Sequence, residues 1–76
     1  MNYLLQKYND FNEWLAEIAA KILEMDKEYT FVEIARMVRE KFPEYFFRNF
    51  TEKELKNMKM AEIGETLVIE AKILLE

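Results

Sequence analysis

Apolar residues recur along this chain at intervals of three and four, not two. Leu4, Tyr8, Phe11, Leu15, Ile18, Ile22 and Met25 alternate between the two spacings, and Trp14, Ala19 and Leu23 widen the stripe. That period keeps the side chains on one face of an α-helix wide enough to face a core. The spacing predicts a helix from about residue 10 to 26. Asp10 and Glu13 stand in capping-box relation at its start, with room for a short turn before it.

Two later helix starts share one signature. Tyr29-Thr30-x-x-Glu33-Ile34 is repeated in kind by Phe50-Thr51-x-x-Glu54-Leu55. In each, the threonine oxygen can accept from the backbone N–H three residues on, and the glutamate can reach back to the threonine N–H. The flanking apolar pair can staple the turn. The first signature opens a helix whose inner face is Phe31, Ile34, Ala35, Val38 and Phe42. Pro43 ends it, because proline pushes the preceding residue out of the α region. Phe42, Tyr45, Phe46, Phe47 and Phe50 then form the densest aromatic cluster. Their spacing predicts a short helical turn near 44–49, surrounded by other helices.

From Thr51 the stripe of Leu55 and Met58 does not continue. Met60, Ile63, Gly64, Leu67, Ala71 and Leu74 lie on a different face, which predicts a break near 57–59. Gly64 sits early in the last helix, where glycine costs about 1 kcal/mol against alanine. It therefore marks close approach of another element. Ile69 and Ile73 fall opposite that helix's core stripe. No alternating run suggests a strand. The expectation is an all-α fold: a compact bundle of four to six short helices, one domain over residues 1–76. The expected core is Leu4, Phe11, Trp14, Leu15, Ile18, Ile22, Ile34, Val38, Phe42, Phe46, Leu55, Ile63, Leu67, Ala71 and Leu74.

Composition narrows the chemistry. At 76 residues folding buries only about 60% of the unfolded surface, and small domains often add disulfides or a metal. This chain has no Cys and no His, so neither disulfides nor thiolate or imidazole ligands are available. It also lacks Ser, which removes the usual nucleophile–base pairs, and both capping threonines have a structural task. One glycine cannot build a phosphate-binding loop. The glutamate pairs Glu13/Glu17, Glu24/Glu28 and Glu40/Glu44 are the spacing of carboxylate bundles, which normally supply histidines as well. They read as solvated faces. The chain is not expected to be an enzyme or to carry a metal or cofactor. No signal peptide or membrane-length apolar run is visible, so a soluble, cytoplasmic protein with no membrane partner is the reading.

The net charge of −4 is unevenly placed. Residues 1–34 and 60–76 are acidic, whereas Arg36, Arg39, Arg48, Lys53, Lys56 and Lys59 lie in the basic stretch 36–59 with aromatics between them. Such a stretch can attract phosphate, so a nucleic-acid-binding helical domain is one alternative. The acidic balance and the missing glycine turn of a helix-turn-helix oppose it. A small virus- or plasmid-encoded inhibitor protein is permitted by length and charge.

The run from Leu55 to Leu74 resembles the C-terminal part of a sterile alpha motif domain. Leu55, Met58, Met60, Ile63, Gly64, Ile69 and Ile73 fall on positions matching that family, and Phe11-x-Glu13-Trp14-Leu15 is similar to its first helix. Lys59 stands where the family has its first glycine, and Glu65-Thr66 where His-Arg is common. The resemblance implies a five-helix bundle that binds other proteins through the start of its last helix. The matching positions are Ile63, Gly64, Glu65 and Thr66, with Val68 and Lys72 nearby. With Ile69 and Ile73 these make the expected partner surface, for a protein partner or a homo-oligomer.

Overall fold

In a computed structural model, residues 11–76 are described, and they form five helices with no strand among them. They are α1 (Phe11–Asp26), α2 (Phe31–Lys41), α3 (Pro43–Asn49), α4 (Glu52–Asn57) and α5 (Met60–Leu74). Leu4, Tyr8 and the proposed Asp10–Glu13 cap lie at or depend on positions outside the described residues.

Both threonine signatures form complete capping boxes. At α2 the Glu33 N–H donates to Thr30 Oγ1 at 3.3 Å, and the Thr30 N–H donates to Glu33 Oε1 at 3.0 Å. At α4 the corresponding distances are 3.2 and 3.0 Å. The hydroxyl-plus-carboxylate pair satisfies helix-start donors that would otherwise face only water. Pro43 acts as expected. Phe42 leaves the helix with φ −130° and ψ 59°, its N–H closing α2 onto the Val38 carbonyl at 2.8 Å. The same residue is the N-cap of α3, with Pro43 at the first helical position, where a missing N–H costs nothing. The phase change between Leu55 and Met60 is the extended pair Met58-Lys59 separating α4 from α5.

Helix α5 is the central element. It packs against both α1 and α2, while α3 rests on α2. The buried core is Ile18, Ala19, Ile22 and Met25 from α1, Ile34, Ala35 and Val38 from α2, Tyr45, Phe46 and Phe50 around α3, and Ile63, Leu67, Val68 and Ala71 from α5. Gly64 explains how α5 comes so close to α2: a Cβ built there would fall 1.9 Å from the Phe31 carbonyl oxygen. The two helices touch backbone to backbone.

Several expected core positions are corrected. Leu74, in the last turn of α5, is 40% exposed because it borders an open groove between α1, α3 and α5. Trp14, Leu15, Phe42 and Leu55 are partly buried and pack against the core, and Phe11 is partly buried at the start of α1. Phe11, Trp14 and Leu15 belong to the first turns of α1, whereas the fully buried part of that helix begins at Ile18. Phe31, placed on the inner face, is exposed; its contribution to packing is its carbonyl under Gly64. Tyr45, Phe50, Ala19, Met25, Ala35 and Val68 take the interior places instead.

Candidate protein-docking face

Helix α5 has to bury two sides, one against α1 and one against α2. Ile63, Gly64, Leu67, Val68 and Ala71 do so. The remaining arc carries Glu62, Glu65, Thr66, Ile69, Lys72 and Ile73, at spacings of three and four, with Glu76 just beyond the helix end. Along it Ile69 is 50% exposed and Ile73 63% exposed. Thr66 is half-buried, and Glu65 and Lys72 are exposed. Leu74 and Leu75 extend the apolar surface at the helix end.

The structure divides the expected partner residues into two sets. Ile63, Gly64 and Val68 are buried in the chain's own core and have no surface to offer. The burial of Val68 follows from the double flanking of α5, which widens its inner arc beyond a simple heptad stripe. Glu65, Thr66, Ile69, Lys72 and Ile73 share the outer arc.

Beside that arc, Ile73, Leu74 and Glu70 wall an open groove of about 410 Å³, completed by Phe11, Leu15, Tyr45, Arg48 and Asn49. Trp14 meets Tyr45 edge-on, ring centroids 6.4 Å apart. Arg48 lies over the Phe11 ring at 4.5 Å, and Asn49 Nδ2 donates to the Tyr45 carbonyl at 2.8 Å. Burial, aided by the nearby Glu70 charge, pushes the Tyr45 hydroxyl up to about 12. Desolvation raises the Glu70 carboxyl above its ordinary value. The sequence reading missed this groove because its walls come from three helices far apart in the chain.

The six candidate nucleic-acid contacts Arg36, Arg39, Arg48, Lys53, Lys56 and Lys59 are all exposed, as is Lys41 in the same stretch. Arg39 lies over Phe47 at 5.4 Å and over Phe46 at 6.0 Å, and Arg48 over Phe11, so two of them already engage aromatic faces of the chain. Arg36 sits in the field of Glu33, whose carboxyl is held below its ordinary value first by the Thr30 N–H and hydroxyl and then by that guanidinium. Among the described residues no cluster of three or more acidic side chains could hold a metal ion. No described helix is long and apolar enough to cross a membrane. The chain matches no protein-family model, no curated protein and no solved structure.

Proposed function

We propose that this protein is a non-enzymatic protein–protein interaction module, and that the outer face of α5 is its binding surface. The observation that carries the reading is the pair Ile69 and Ile73, half or more exposed on one stripe of a helix whose opposite side is fully buried. Scattered exposed apolar residues are ordinary on any surface. Exposed apolar side chains grouped beside a groove that Ile73 itself helps to line are the pattern of an interaction site. Aromatic and aliphatic groove walls beside a few placed polar groups suit an apolar anchor from a partner. The resemblance to sterile alpha motif domains agrees in placing binding on the last helix, with Glu65 and Thr66 near its start. No Ser, Cys or His is present to argue for a catalytic alternative.

The test is association that disappears with the surface. The double substitution Ile69→Ser/Ile73→Ser changes outward side chains only, so its helical circular-dichroism signal should match wild type. Any partner that wild type binds, its own copy included, should release the variant. A partner held equally by both proteins would overturn the assignment of this face.

A further inference from the structure

The outer arc of α5 is self-complementary when read in opposite directions. Glu65 and Lys72 lie seven residues apart with Ile69 between them, four after the acid and three before the base. Lys72 is the one cation in α5, and it stands on this arc. Resting on the interaction-face reading above, we propose that the occupant of this face is a second copy of the same chain, docked antiparallel about a two-fold axis beside Ile69.

In that arrangement Ile69 meets its own copy. Lys72 of each chain then comes within about 1.5 Å, along the axis, of the level of Glu65 of the other, giving two symmetric ion pairs on one flank. On the other flank Ile73 covers the Thr66 methyl of its partner. A two-fold contact of this kind uses the same patch twice, as isologous dimers do. A parallel pair is disfavoured on the same geometry. It keeps every residue level with its own copy, and Glu65 and Lys72 remain about 10 Å apart along the axis. Glu62 and Glu76 oppose one another at the two ends of the antiparallel contact, where both are exposed and salt screens them. The contact is one helix face wide and falls at the small end of specific interfaces. Its dissociation constant is therefore expected at about 0.1–1 mM.

Cross-linking tests the register directly, because the chain has no cysteine of its own. Ile69→Cys places the thiols across the two-fold axis, within disulfide reach. Under mild oxidation it should form a covalent dimer. Ile73→Cys separates them by about 12 Å along the antiparallel pair and should not. Equal cross-linking of both variants would indicate a parallel or nonspecific encounter and overturn the proposal. In sedimentation equilibrium, Glu65→Lys or Lys72→Glu alone should weaken dimerisation about five- to ten-fold, and the two together should restore it. Single reversals without effect, or a wild-type monomer at about 2 mM, also overturn the proposal. These failures leave the interaction-face reading standing if a different partner is still released by Ile69→Ser/Ile73→Ser. Both readings fall if it is not.

Discussion

Gly64→Ala is the substitution that tests the architecture most sharply. In a solvent-exposed helix interior this change stabilises by about 1 kcal/mol, because alanine loses less backbone freedom on folding. Here the new Cβ would lie 1.9 Å from the Phe31 oxygen, 2.6 Å from its carbonyl carbon and 2.8 Å from its Cα. All three are backbone atoms at the start of α2, so no side chain can rotate aside. Reaching ordinary contact requires α2 and α5 to separate by more than 1 Å. That separation loosens Ile34, Ala35, Val38, Ile63, Leu67 and Val68 at once, in an interior packed as tightly as a crystal. Overpacking costs typically 1–3 kcal/mol, and a backbone clash belongs at or above the upper end. After subtracting the propensity gain, the net loss is about 2 kcal/mol or more. For a domain of this size, each kcal/mol shifts Tm by roughly 4–8 °C. Thermal melts followed by circular dichroism should therefore place the variant some 10 °C or more below wild type. The exposed Ala61, one turn earlier in α5, supplies the control: Ala61→Gly should lose only about 1 kcal/mol. A Gly64→Ala protein melting at or above wild type would refute the close approach of the two helices.

The other expectations concern caps, core and protons. Thr51→Ala should cost about 1 kcal/mol; hydrogen exchange should show the loss concentrated in α4, which has no fully buried side chain to hold it. Phe46→Ala, at a fully buried site, should cost about 3–5 kcal/mol, and Trp14→Ala, at a half-buried one, distinctly less by chemical denaturation. Glu33 and Glu54 have carboxyls held below the usual 4.5 by the threonine N–H and hydroxyl. Their stabilising contribution is thus present above that value and fades as pH falls through the lowered one; Glu33→Gln/Glu54→Gln should flatten the acid limb of a stability–pH curve. Tyr45 behaves oppositely, since its folded pKa is raised from 10.0 to about 12. Stability should fall as pH rises across that interval, and an ultraviolet titration should show a late-ionising component that Tyr45→Phe removes. A gel-shift assay at low salt is expected to show no nucleic-acid binding, given the net charge of −4 and the stacking of Arg39 and Arg48 on Phe47 and Phe11.

Local rules carried most of the fold. The caps at Thr30 and Thr51 depend on residues three apart, and Pro43 acts on its immediate neighbour, so both are readable without tertiary information. The α4–α5 break was legible as a phase error between Leu55 and Met60, and Gly64 as an otherwise unfavourable residue in a helix. What could not be read was the identity of the inward residues where an element is short. Tyr45, Phe46 and Phe47 are consecutive and fan through 200° of a seven-residue helix. Which two turn inward is decided by where α1 and α2 lie, and Phe47 is left half-exposed. At the start of α1 and the end of α5, Phe11, Leu15 and Leu74 border an open groove instead of filling the interior. Periodicity therefore overstated the burial of Phe11, Leu15 and Leu74.

The same geometry gives α5 two separable roles. Its inner arc holds Ile63, Leu67, Val68 and Ala71 between α1 and α2, and a chain with no cysteine and no histidine has no covalent or imidazole-held cross-link to make good a loss there. Its outer arc carries Glu65, Ile69, Lys72 and Ile73, all of them exposed. Substitutions on the outer arc should therefore change association while leaving Tm within a few degrees of wild type, because surface changes away from caps and core are usually worth under 0.5 kcal/mol. Substitutions on the inner arc should lower both together, since an unfolded chain presents no patterned face. If Ile69→Ser and Ile73→Ser instead lowered Tm as much as Leu67→Ala, the two isoleucines would be part of the chain's own core, and the outer arc would lose its claim to be a docking face.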